Sequence, residues 1–339
     1  MNTNVVDVVD VVDIKLLENK NLVFVSTQPD TIYFHWQVEL YLYQFSLSGI
    51  KNRCVAIFGY DEKKGPSEYI QKLAIQYNVL WYSDDRKNKG YSPSIRPHLL
   101  EKYLKDYPEN GANFFYHDSD IFLVKLPNLT SMLNDDVAYL SDTVSYIGYN
   151  YIMDCCKRYK NVYPDLPEDD ILVGMCETVG IDMELVKKNQ QNSGGAQILY
   201  KNVDSDFWRE CEEKCYTLYH FFLEYEKKYP IPHPIQKWTA EMWVILWVYW
   251  KRGHETRVHP ELDFSWATDH VSKYHSKNIF HLAGVTDKSK EGKFFKGQYI
   301  QKNVLDEYLK DPTLFDSIDP NNTTFEYTKV IKEYVMIRF

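Results

Sequence analysis

The sequence predicts an α/β fold, a mostly parallel sheet covered by helices. Apolar runs of strand length alternate with helix-length amphipathic segments through the first third of the chain, and such alternation builds βαβ units. The runs are too uniformly apolar for a sheet with one wet face. Polar and acidic residues follow them directly, at the carboxyl ends of strands where sheets of this kind collect ligands.

The elements follow in order. The opening MNTNVVDVVDVVD repeat, residues 1–15 with its flank, reads as a flexible tail, and the folded part starts near Leu16. NLVFVST (21–27) is a buried strand, TIYFHWQVELYLYQFSLSG (31–49) a helix stopped by Gly49, and CVAIFGY (54–60) a second strand. SEYIQKLAIQY (67–77) is a helix, NVLWYS (78–83) a strand and SIRPHLLEKYLKDY a helix. NFFYHDSDIFLV then reads as one further strand. Beyond residue 140 the alternation fades into Tyr- and Lys-rich segments, a Trp-rich helix (238–250) and the strand-like NIFHLAG (278–284). This half is expected to complete the sheet and carry the acceptor side. Residues 301–339 read as a C-terminal helical tail with a turn at Asp319–Asn322. The main body is thus one domain, 16–300.

Composition narrows the function. The 39 basic and 48 acidic residues give a formal charge of −9, which argues against a broad grip on nucleic acid. No stretch reaches the ~18 uninterrupted apolar residues of a membrane span, and the N-terminus carries acids where a secretory signal carries bases. The reading is a soluble, cytoplasmic protein. Its six cysteines, with no C-x-x-C pair, are expected as reduced structural thiols. Aromatic residues make up 16% of the chain and suit both core packing and stacking on sugar or base rings.

FFYHDSDIFLVKLP (114–127) is the most informative segment. Alternation along an extended backbone sets Asp118 and Asp120 on one side. Two carboxylates so close repel unless a cation sits between them, and hard oxygen ligands favour Mn²⁺ or Mg²⁺. The competing reading is a turn with solvated acids. His281, ending its strand, is a third ligand candidate, or a hydrogen-bonded core histidine. Lys296, in KFFKG, is the choice among the late lysines for holding a diphosphate, against a solvated basic loop. Glu241, among the tryptophans of its helix, is the candidate acceptor-side general base, since a pocket of that kind raises a carboxyl pKa. Asp169 and Asp170 compete for that role.

With these pieces in order the sequence resembles GT-A glycosyltransferases, in which a strand ends in an Asp-x-Asp that binds a metal and the diphosphate of a nucleotide-sugar. VFVSTQPDTIYFHWQVELYLYQF (23–45) looks like the opening of the hydroxyproline O-arabinosyltransferase and peptidyl-serine galactosyltransferase group, the aromatic-x-Trp-Gln pattern being Phe34-His35-Trp36-Gln37. NSGGAQILYKN (192–202) resembles the segment such enzymes place beside the sugar, and NIFHLAG supplies a late histidine like the third metal ligand of the glycogenin-like transferases. The resemblance implies a GT-A fold, a metal on Asp118, Asp120 and His281, and a UDP-sugar or similar donor. Thr27, Gln28 and Asp84, with Asp85, would contact the base, Arg96 a phosphate, and Asn192, Gly194 and Gln197 the sugar. The acceptor would be a hydroxyl of a protein side chain or a glycan, with a modified nucleobase as an alternative. A metal-dependent nucleotidyltransferase, a nucleotide-sugar hydrolase and a non-catalytic carbohydrate-binding protein are the rival readings.

Overall fold

The computed structural model describes residues 21–338; the V-V-D repeat and the start near Leu16 lie outside them. Ten strands run in chain order as β1 (Leu22–Pro29), β2 (Cys54–Tyr60), β3 (Val79–Ser83), β4 (Asn113–Tyr116), β5 (Ile121–Leu123), β6 (Ala138–Asp142), β7 (Gly194–Lys201), β8 (Thr256–Val258), β9 (Phe264–Trp266) and β10 (Ile279–His281). Seven of them form the main sheet, ordered β3-β2-β1-β4-β7-β6-β8. All neighbours in it are parallel except where β7 runs against β4 and β6. This is the mostly parallel, helix-covered α/β architecture read from the sequence.

The sheet is buried on both faces. Val23 and Val25 of β1 join one apolar core with residues of the helices Ile95–Asp106, Ser205–Lys228 and Ala240–Lys251. Leu22 and Phe24, alternating with them, join a second core with the helices Ile32–Leu47 and Thr323–Arg338. Period-two alternation of large apolar groups is what lets one strand serve two cores. All six cysteines are free and buried, as the composition suggested.

Two expectations are corrected. NFFYHDSDIFLV is not one strand: the ladder ends after β4, and β5 belongs to a separate three-stranded sheet ordered β5-β10-β9. The physical cause lies in the Asp-Ser-Asp step. His117 N–H still donates to the Val25 carbonyl at 3.0 Å, but the Asp120 carbonyl accepts from Leu282 N–H at 2.9 Å, so the chain changes partners across the two carboxylates. For the same reason NIFHLAG does not complete the main sheet. Its β10 pairs antiparallel with β5 and parallel with β9, while β6, β7 and β8 do the completing.

The C-terminal segment is helical, over Val304–Lys310 and Thr323–Arg338, with Asn322 N–H bonded to the Asp319 carbonyl at the turn. It is also built into the second core through Leu305, Tyr327 and Ile331. Tyr334 donates to the buried Glu39 carboxylate at 2.7 Å and Arg338 pairs with it at 2.9 Å. No helix among the described residues is long and apolar enough to cross a membrane.

Candidate functional site

A cleft of about 740 Å³ opens at the carboxyl ends of β1 and β4, where the main sheet meets the small one. Ligand sites in open α/β sheets are expected at this end. Its wall includes Thr27, Arg96, Asp118, Asp120, His281 and Lys296, so six of the residues singled out in the sequence are brought to one place from five separate segments.

Their geometry centres on the two aspartates. His281, last residue of β10, sets Nε2 at 3.3 Å from Asp120 and 3.6 Å from Asp118, and the three side chains can offer ligand atoms all within 4.8 Å of one another. The imidazole lies flat on Trp266, ring centroids 6.0 Å apart and planes 10° apart. That stacking follows from register, because His281 and Trp266 are direct neighbours across β10 and β9. His281 Nδ1 is buried without a hydrogen-bond partner.

Each carboxylate has its own cation. Asp118 accepts from Arg96 Nη2 at 2.6 Å, and Asp120 pairs with Lys296 Nζ. Burial works to raise the Asp120 pKa, but Lys296 and His281 outweigh it and hold the carboxyl well below its usual range. Lys296 is likewise disfavoured as a cation by burial, yet Asp120 raises its pKa. Arg96 is fixed on three sides: Nη1 lies 2.8 Å from Glu241 Oε1, Nη2 bonds Asp118, and the guanidinium sits 4.2 Å over the Tyr116 ring.

Glu241 is therefore close to the site but one ion pair behind it. It is 3% exposed and does not line the cleft. Burial lifts its pKa to about 7, Arg96 opposing and Asp118 adding to the rise. Asp170 starts the helix Asp170–Val179, accepts from the Tyr225 hydroxyl at 2.8 Å and does not line the cleft.

The other residues expected at the donor do not line the cleft. Gln28 is buried and donates to the Ile57 carbonyl at 3.0 Å. Asp84 is held by Arg86 at 2.8 and 3.0 Å, and Asp85 by Lys102. Asn192 donates to Asn189, and Gln197 is fully buried with both amide atoms unpaired. Gly194 serves close packing: a Cβ there would stand 2.5 Å from both Leu140 Cβ and the Ser141 carbonyl oxygen. Two residues on, Ala196 takes the left-handed φ of 63° within the extra residues of β7 where its register with β6 shifts, and it lines the cleft. A non-glycine residue there is backbone strain stored at the cleft wall.

Sequence reasoning missed several wall residues. Tyr116 was discoverable, since it precedes Asp118 by two positions and shares its side of the chain. Tyr33 and Trp266 carried no separable signal among so many aromatics. Trp238 lines the cleft while 60% exposed; its carbonyl accepts from the Tyr91 hydroxyl at 2.6 Å, which fixes the backbone beneath a free ring.

The donor set suits a hard divalent cation: two carboxylates, an imidazole nitrogen facing both, and a cleft above them. No protein-family model and no curated protein matches this sequence. Solved structures do match. The bifunctional glycosyltransferase WbbM is 12% identical with a TM-score of 0.39, covering 78% of this chain, which spans 46% of the WbbM chain. The galactosyltransferase LgtC, in complex with donor and acceptor sugar analogues, is 11% identical with a TM-score of 0.38, over 78% of this chain and 87% of its own. A glycosyltransferase involved in glycosylation of the major capsid of PBCV-1 is 11% identical with a TM-score of 0.36, over 78% and 94%. At these values the likeness carries no argument about function.

Proposed function

We propose that the chain is a metal-dependent glycosyltransferase of the GT-A kind, moving a sugar from a nucleoside diphosphate sugar, by preference a UDP-sugar, to an acceptor hydroxyl on a glycan or a protein side chain. We take residues 16–300 as the transferase unit and 301–339 as its helical extension. The observation that carries the reading is the convergence of Asp118, Asp120 and His281 beyond the end of β4, on the wall of a cleft that Arg96 and Lys296 also line.

Asp118, Asp120 and His281 would hold Mn²⁺ or Mg²⁺, which supplies charge neutralisation to a departing diphosphate. Lys296 adds a mobile positive charge on the same side. Arg96 is pinned by Glu241 and Tyr116, so it orients Asp118. Trp238, Trp266 and Tyr146 give the cleft an aromatic wall against which the flat face of a sugar ring can lie. Glu241 acts on the acceptor as base only if a substrate proton comes within hydrogen-bond reach; through Arg96 it supports Asp118 in any case.

The test is a thermal-shift screen of nucleotide-sugars with and without Mn²⁺, followed by product analysis. Binding to the folded state raises the melting temperature, so a shift that needs both metal and donor is expected. Pyrophosphate as product would indicate a nucleotidyltransferase instead, and free sugar in the presence of suitable acceptors a hydrolase. No metal-dependent shift with any nucleotide-sugar would sink the reading.

A further inference from the structure

Two cations, Arg96 and Lys296, already answer the three carboxylates Asp118, Asp120 and Glu241. Asp118 is paired with Arg96, and Asp120 with Lys296. Two positive charges set between these carboxylates would leave the cluster with a surplus, so one of the resident cations has to withdraw. Arg96 is the worse candidate to move, because it would abandon Glu241 and the Tyr116 ring as well as Asp118. Lys296 hangs on a four-carbon stem, and its one ion-pair partner among the described residues is Asp120. The backbone under it stays put: Trp36 Nε1–H donates to the Tyr299 carbonyl at 3.4 Å, Phe294 N–H to Thr324 Oγ1 at 3.0 Å, and Phe294 stacks on Tyr299.

Building on the transferase reading, we propose that Lys296 is an exchangeable counter-ion: it neutralises Asp120 in the metal-free protein, withdraws when a divalent cation is bound, and closes on the diphosphate once the donor arrives. Lys296 thereby opposes capture of the bare ion and favours capture of the ion together with a nucleoside diphosphate. The same side chain weakens one equilibrium and strengthens the other, which neither a fixed structural ion pair nor a plain phosphate ligand would do.

The experiment is an Mn²⁺ titration, read as free Mn²⁺ by electron paramagnetic resonance, with and without UDP, on the parent, Lys296→Met and Lys296→Arg. Without UDP, Lys296→Met is expected to bind Mn²⁺ about tenfold more tightly than the parent. Lys296→Arg is expected to bind several-fold more weakly, since a guanidinium grips a carboxylate in two bonds. With Mn²⁺ saturating, UDP affinity is expected to fall about tenfold in Lys296→Met. Bare Mn²⁺ affinity that is unchanged or lower in Lys296→Met overturns the exchange while leaving the metal site standing. UDP affinity unaffected in Lys296→Met removes the closing half and overturns it too. Absence of Mn²⁺ binding in parent and variants alike overturns the transferase reading itself, and the exchange with it.

Discussion

Two places among the described residues gather a histidine and two carboxylates within 4.8 Å, Asp118, Asp120 and His281 at the cleft and His98, Glu101 and Glu212 between the helices Ile95–Asp106 and Ser205–Lys228. The two differ in their setting. In the second, His98 is held from both sides, by Glu212 at 2.8 Å and Asp85 at 2.9 Å, and Glu101 is taken by Lys105 at 2.6 Å. His98 Nε2 is nonetheless buried without a hydrogen bond. In the first, His281 faces both aspartates at distances of an ion pair, not of a tight hydrogen bond, and its other nitrogen has no partner. Ligand type alone does not distinguish the two; position does, since the first lies beyond the carboxyl ends of the main-sheet strands, on the wall of the roomier cleft of about 740 Å³.

The sharpest way to break the contrast is Asp120→Asn, which keeps the shape and removes the charge. Mn²⁺ binding is expected to disappear in calorimetric titration while circular dichroism stays that of the parent. Retained binding would move the metal elsewhere, the His98 cluster being the first place to look.

Glu241→Gln comes next and separates two roles. If Glu241 acts through Arg96, metal-dependent donor affinity and turnover are expected to fall together, donor affinity by about tenfold, the lower end of what a lost supporting contact costs. Turnover down by ~10²- to 10⁴-fold with donor affinity intact is the signature of a general base, and would establish the role first read from its Trp-rich helix.

His281→Ala is expected to weaken Mn²⁺ roughly 10- to 100-fold. An unchanged titration would return the residue to the core as a partner of Trp266.

A smaller effect concerns pH. Glu241 has its folded pKa raised to about 7, so between its unfolded value and 7 the folded state binds the extra proton. Its contribution to stability is thus present in full at low pH and lost as pH rises towards and through 7. In EDTA, the parent should lose melting temperature from pH 5 to pH 8 by a few degrees more than Glu241→Gln. Parallel pH profiles would remove Glu241 as the titrating group. The smallest expected effect is His98→Ala, which should leave the Mn²⁺ titration within about twofold of the parent while lowering the melting temperature; lost metal affinity there would erase the distinction between the two clusters.

How much of this was legible in the sequence depended on range. Strand β2 was read to its exact residues because CVAIFGY is both apolar and bounded by polar turns. Of the residues that line the cleft, Thr27, Asp118, Asp120, His281 and Lys296 were marked at the end of an apolar run or in a polar loop after one, and Arg96 at the start of a helix. The split of the Asp-Ser-Asp strand between two sheets was not legible, because local alternation is the same whether the next partner is β1 or β10. Nor could spacing reveal that Arg96 stands between Asp118 and Glu241: the three come from distant segments, and only packing of the Ile95–Asp106 and Ala240–Lys251 helices against the sheet joins them. Gln28 and Asp84 were marked by the same logic of strand ends, and Gln197 by its amide in a small-residue segment; both find a neighbourhood without telling which side chains turn toward the opening.

The break after β4 has one more consequence. Asp118 leaves the large sheet, while Asp120 and His281 are carried by the small one, so the ligand set straddles a seam and acts as a gauge of its width. The small sheet is seated on the C-terminal helix, where Phe122 of β5 stacks on Tyr327 at 4.4 Å and Phe280 of β10 meets the same ring at 5.9 Å. A substitution that hollows out Tyr327 would thus be felt as a change in ion affinity although it touches no ligand, and a bound ion would in turn brace the seating of that helix, each reporting on the other through the alignment of two sheets.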